Sequence, residues 1–321
     1  MSNLELAPEE TQGGGAIAIA TAAADVLVGR EVPLGRHTVV RRFLPHRERR
    51  MVGAWCFVDH YGPEDITRGP GMQVPPHPHT GLQTVSWLLD GEILHRDSLG
   101  SLQPVRPGQL NLMTSGHGIA HSEESPPERP PQLHGLQLWI ALPDQDRAGP
   151  ARFEHHADLP VLQDGPLTVT VIVGELAGAR SPAQVHNPLF GADVAVDAGT
   201  DTRIPLEPEF EYAALVVTGA ASLDGATGTR EALVYLGRGR SDLSVRASEP
   251  SRLFLFGGKP FEEQLVMWWN FIGRSHEDIV QAREDWMSGS GRFGEVHGYA
   301  GDPLPAPPLP GTRLRARGRE G

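Results

Sequence analysis

Gly71-Met72-Gln73-Val74-Pro75-Pro76-His77-Pro78-His79 is the stretch that decides how this chain folds and what it holds. Side chains on an extended strand alternate between two faces, so His77 and His79 share one of them. Pro75, Pro76 and Pro78 stiffen the backbone in an extended form and orient both imidazoles in advance. Downstream, Met113-Thr114-Ser115-Gly116-His117-Gly118-Ile119-Ala120-His121-Ser122-Glu123 repeats the spacing, with His121 and Glu123 on a common face. If these strands meet in a barrel, three imidazoles and one carboxylate converge on its interior. Three nitrogens and one oxygen suit a borderline divalent metal, and iron, nickel, copper, cobalt, zinc and manganese all stay open by ligand type. On an octahedral ion, four protein ligands leave two positions for water, dioxygen or substrate.

Working outward, short apolar runs recur between turn signals from His37 to about Leu142: Ala54–Val58, Gln83–Leu89, Gln109–Met113 and Leu136–Ala141. Asp90-Gly91, between Ser86–Leu89 and Glu92–Leu94, reads as a hairpin. A second β-rich series follows at Leu167–Val173, Ala192–Val196, Ala213–Thr218, Ala232–Leu236 and Arg252–Phe256. One helix is expected near the end, capped by Ser275, with Glu277 and Asp278 in its first turn and Gly289 as its stop. Ile279, Ala282 and Trp286 fall on one of its faces. The expected organisation is a lead-in over 1–30, a first barrel over 31–145 and a linker over 146–165. A second barrel over 166–262 and a helix with a proline-rich tail over 263–321 complete it.

Composition bounds the function. The chain has 321 residues, 39% of them hydrophobic, enough for two domains with sizeable cores. Its 38 glycines and 29 prolines favour short strands and tight turns. A net charge of −12 repels phosphate backbones and argues against direct nucleic-acid binding. The local cluster Arg41, Arg42, Arg47, Arg49, Arg50 reads as a solvated loop or as ion-pair partners, and Arg313, Arg315, Arg317, Arg319 as a loose tail. The single Cys56 excludes an intrachain disulfide, fits a reducing cytoplasm and reads as a buried thiol. The acidic residues before the Ala-rich stretch 16–24 are wrong for a signal peptide, and nothing approaches the roughly 18 apolar residues of a membrane span. A soluble cytoplasmic protein is expected.

Gly71-x5-His77-x-His79 matches the first motif of the cupin superfamily. The longer runs His77-Pro-His79-Thr-Gly-Leu-Gln-Thr-Val, His95-Arg-Asp-Ser-Leu-Gly100, Arg106-Pro-Gly108 and Met113 to Glu123 resemble the pirin family. So do His134-Gly-Leu-Gln-Leu-Trp139, Phe256-Gly-Gly-Lys-Pro-Phe261 and Met267 to His276. The resemblance covers about residues 37–300. It implies an all-β fold of two stacked cupin barrels with a short C-terminal helix. It also implies one metal, usually iron, in the first barrel, held at the positions of His77, His79, His121 and Glu123. The second barrel has no His-x-His or His-x-Glu and is expected to be metal-free. Three positions depart from the family pattern: Thr80 after the second histidine, His117 between two glycines, and Gln83 where other cupins carry Glu. His117 is a candidate second-shell donor or proton carrier, with a solvent-facing turn residue as the alternative.

The resemblance implies two functions. One is a quercetin 2,3-dioxygenase-like enzyme, in which iron(II) binds a flavonol or related enol, Glu123 takes its hydroxyl proton and dioxygen opens the ring. Trp55–Val58, Trp87 and Met113 either give an apolar approach to such a site or pack the core. The other is a metal- or redox-sensing protein that regulates a transcription factor or metabolic enzyme through protein contacts. A metal-dependent isomerase is a third, more distant reading.

Overall fold

The computed structural model describes residues 24–34 and 38–318. The first strand, β1 Asp25–Val28, joins the large sheet of the second barrel, and eleven strands build the first: β2 Arg30–Leu34, β3 Thr38–Leu44, β4 Trp55–Asp65, β5 Gln73–His79, β6 Leu82–Asp90, β7 Ile93–Asp97, β8 Leu102–Val105, β9 Leu110–Thr114, β10 Ile119–Glu124, β11 Gln132–Ala141 and β12 Arg152–His156. They form a seven-stranded sheet, β12-β9-β6-β11-β4-β3-β2, closed by a four-stranded sheet, β5-β10-β7-β8. The second barrel repeats the plan. Its large sheet contains Leu167–Leu176, Leu189–Val196, Glu211–Thr218, Ala232–Arg238 and Ser251–Gly258, and its small sheet contains Thr200–Pro205 and Asp242–Ala247. The expected runs therefore fall on strands, with Ala54 and Gln109 one residue outside, and the architecture is two cupin barrels with one helix.

That helix, α1 His276–Ser288, has its N-terminus closed by a reciprocal capping box between Ser275 and Asp278. Gly289, at φ 67°, ends it in the left-handed conformation. Ile279 and Ala282 are buried beneath it, against Trp268, Trp269 and Phe271.

Three segments differ from the sequence-based expectation. Asp90-Gly91 does turn the chain, with Gly91 at φ 94° and its N–H on Asp90 Oδ1 at 2.7 Å. Yet β6 and β7 enter different sheets, so the turn is a barrel corner and not a hairpin. The stretch expected as a linker carries β12, paired with β9, and Val161–Asp164, paired with Leu167–Thr170. Each finishes a sheet edge that would otherwise leave backbone groups unpaired. His155 and His156 consequently sit half-buried on β12, with His155 Nδ1 2.7 Å from Asn111 Oδ1. In the expected lead-in, residues 1–23 lie outside the described residues, while β1 pairs with Ala232–Tyr235 of the second barrel. The chain then crosses to the first barrel through β2, which ties the two together.

One apolar cluster runs through both barrels, including Trp55, Val58, Leu138 and Ile140 of the first and Ile172, Leu215, Phe254 and Phe256 of the second. Trp55 meets Phe254 and Phe256 edge-on, with centroids 6.1 and 5.7 Å away. Trp87 donates to Asp193 Oδ2 at 2.7 Å, and Arg252 holds the same carboxylate from the second barrel. Trp55 and Trp87 are therefore core and interface residues. Cys56 is buried with its thiol pushed up to about 12 by burial, an inert group at neutral pH.

Candidate metal centre

β5 is the edge of the small sheet, which is why it accommodates three prolines that cannot donate to a ladder on both sides. Its inner neighbour β10 places His121 directly opposite His77, and Ile119 opposite His79. On the far side of β10, Glu123 faces His95 and His121 faces Asp97 on β7. The same-face spacing thus gathers His77, His79, His121, Glu123, His95 and Asp97 on the inner surface of one sheet.

His77, His79 and His121 are fully buried, with ligand atoms all within 4.8 Å of one another. The Nε2 atoms of His79 and His121 are 3.1 Å apart. Each ring is oriented by a partner on its other nitrogen. His77 Nδ1 bonds Pro75 O at 2.8 Å and His79 Nδ1 bonds Asn270 O at 3.2 Å, so both carry their proton on Nδ1. His77 Nε2 is left buried without a hydrogen-bond partner. A buried lone pair with no donor costs free energy, and a neutral imidazole nitrogen of this kind is suited to ligate a cation. Burial pushes the His77 imidazole down to about 3 and holds His79 and His121 well below the usual range, with neighbouring imidazoles adding to the effect. All three are neutral at pH 7, the form that ligates metal.

Glu123 is also buried and groups within 4.8 Å with His121 and His95. Its Oε1 lies 2.9 Å from Ser86 Oγ, which in turn lies 2.9 Å from Gln137 Oε1. Behind His79, Trp139 meets the ring edge-on at 5.1 Å and stacks on Phe57 at 4.0 Å. Arg42 caps Phe57 and pairs with Asp59 through two 2.8 Å contacts, a fully buried ion pair. Arg42 is thus the internal ion-pair partner anticipated for the basic cluster.

Asn270, whose carbonyl orients His79, comes from the far end of the chain. The short strands Val266–Trp268 and Phe271–Gly273 form a hairpin with Trp269 at φ 52°, and Phe271 bridges to Thr80. Ile272 N donates to Thr80 O at 3.0 Å, so Thr80 serves as the docking point of this hairpin. Gln83 turns away from the site. Its Nε2 bonds Thr114 Oγ1 and, in the second barrel, Gln184 O, each at 2.9 Å. His117 is exposed, its backbone pinned by Gly149 O and Arg292 Nε, and only the solvent-facing alternative fits that position. The residues that sequence reasoning missed are His95, Asp97, Ser86 and the Asn270 carbonyl. His95-x-Asp97 carried the same alternate spacing as the two recognised motifs and was the available signal. Among the described residues, both clusters able to hold a metal lie in the first barrel.

A family model described as Pirin matches residues 36–140, and one described as the Pirin C-terminal cupin domain matches residues 191–294. A Pseudomonas aeruginosa protein provisionally named a quercetin 2,3-dioxygenase is 45% identical over 88% of this chain and 90% of its own length. A pirin-like protein of Caulobacter vibrioides is 36% identical over 83% of this chain and 94% of its own. Among solved structures, quercetin 2,3-dioxygenase from Acinetobacter baumannii superposes with a TM-score of 0.88 at 45% identity, covering 91% of this chain and 97% of that one.

Proposed function

The chain belongs to the pirin family, and from that membership we propose a metal-dependent dioxygenase that cleaves a flavonol or related enol. The observation that carries the reading is the convergence of three neutral, pre-oriented imidazoles beside a buried carboxylate. His77, His79, His121 and Glu123 would hold one divalent ion, iron(II) in our reading. When bound, it supplies electrostatic activation of the enol oxygen and a partner for dioxygen.

The chain's own groups do the rest. Glu123 accepts the substrate's hydroxyl proton, and the Ser86 hydroxyl holds the carboxylate in place for that transfer. Phe57 and Trp139 wall the barrel interior with aromatic surface and keep bulk water from the reacting enolate. Tyr61 Oη, Gln137 Nε2 and Trp139 Nε1 are buried without hydrogen-bond partners, a supply of donors for the oxygens of a polyphenol. The relatives named for quercetin 2,3-dioxygenase support the substrate class. The single buried, unpaired thiol fits activity in the cytoplasm.

The test is dioxygen uptake by the anaerobically iron-loaded protein with quercetin, beside His121→Ala. Uptake with release of carbon monoxide, lost in the variant, is the expected result. Stoichiometric iron without uptake would overturn the flavonol reading and favour a regulatory role through a protein partner.

A further inference from the structure

The three imidazoles are not held alike. His77 and His79 give their Nδ1 protons to backbone carbonyls of Pro75 and Asn270. His121 Nδ1 instead faces His95 Nδ1 at 3.4 Å, and His95 Nε2 lies 3.1 Å from Asp97 Oδ2. Asp97 is itself fixed, since its Oδ1 accepts from Leu99 N at 2.9 Å and Ser101 N at 3.0 Å. Phe153 of β12 lies flat on the His95 ring, with centroids 4.4 Å apart and planes 13° from parallel. Both His95 and Asp97 are only 2% exposed.

We propose that His95 and Asp97 form a positioning dyad that fixes the tautomer of His121 and strengthens it as a metal ligand, an inference that rests on the metal-centre reading above. If His121 gives Nε2 to the metal, its proton sits on Nδ1 and needs an acceptor. His95 supplies one through Nδ1, provided its own proton is on Nε2, where the Asp97 carboxylate receives it. One order of donors and acceptors satisfies the chain from carboxylate to ligand. A carboxylate at the far end polarises both imidazoles and makes His121 the most basic of the three ligands. A backbone carbonyl carries no net charge and polarises His77 and His79 less. The site thus has one side-chain-tuned ligand and two fixed by backbone. β12 has a part in this, because its Phe153 stacks on the His95 ring and fixes its plane.

The experiment uses the full chain and cobalt(II), whose visible spectrum reports its ligand environment, with affinity read by chelator competition. His95→Leu removes the acceptor. His95→Gln keeps one acceptor toward His121 and one donor toward Asp97, and Asp97→Asn removes the charge alone. The expected result is affinity weaker by roughly 10- to 100-fold in His95→Leu with a shifted spectrum. His95→Gln should recover most of that loss, and Asp97→Asn should fall between. Unchanged affinity and spectrum in all three variants would overturn the dyad while leaving the metal centre intact. Loss of one coordinated nitrogen by X-ray absorption in both His95 variants would also overturn it, making His95 a direct ligand. Absence of cobalt binding in the parent protein would overturn the metal-centre reading itself. Should His95→Leu fail to fold, His95→Gln and Asp97→Asn still separate these outcomes.

Discussion

His77 bonds its own Pro75 carbonyl, so part of this site is set within a few residues of chain and is legible in the sequence. The His-x-His and His-x-Glu spacings disclosed their residues because alternation on a strand is a local rule. His95 obeys the same rule, yet its role depends on which strand lies beside β10, and pairing across a barrel is not a local property. Ser86 had no spacing signal at all. Its position beside Glu123 comes from the closure of one sheet over the other. Ser86→Ala removes a hydrogen bond to a charged group, worth about 1.5–3 kcal/mol. We expect kcat for the flavonol to fall roughly 10- to 100-fold with KM little changed, since the lost contact orients the proton acceptor. Equal changes in KM and unchanged kcat in steady-state assays would contradict that role.

At the level of strands and hairpins, β4 and β11 carry a second buried imidazole pair, with His60 Nε2 and His134 Nε2 2.7 Å apart. Burial pushes His60 down to about 3 and His134 down to about 4. Both folded values lie below the unfolded value of about 6.5, so the unfolded chain binds more protons across that window. Stability is therefore present in full above about pH 6.5 and is lost as pH falls toward 4. Urea midpoints of the apoprotein should fall from pH 7 to 4.5, less steeply in His60→Leu/His134→Leu; equal slopes would count against the pair. The terminal hairpin gives a second prediction. Phe271 is fully buried under α1, and Phe271→Ala should cost about 3–5 kcal/mol by thermal or urea unfolding. It should also weaken metal binding, because the same hairpin presents the Asn270 carbonyl to His79. Metal affinity unchanged in a destabilised Phe271→Ala would show that His79 needs no such support. Helix α1 was readable from its capping residues and apolar face, whereas the hairpin's contact with His79 spans 191 residues and left no pattern.

For the whole molecule, the two series of apolar runs disclosed two barrels, but not that a single apolar cluster joins them or that β1 belongs to the second. Trp55 stands at that junction, donating Nε1 to the Phe190 and Gly257 carbonyls at 3.3 Å. Trp55→Ala should cost about 3–5 kcal/mol, and the parent chain should unfold in one transition because its barrels share a core. Two separated calorimetric transitions in the parent would contradict the shared core. The chain's net charge of −12 disfavours contact with phosphate backbones, and among the described residues both clusters able to hold a metal lie in the first barrel. The most direct measurement is anomalous diffraction at the iron edge from crystals of the iron-loaded chain. We predict one peak per chain, bounded by Nε2 of His77, His79 and His121 and by the Glu123 carboxylate. A peak lodged between His95 and Glu123 away from His77 and His79, or no peak in the first barrel, would contradict the account.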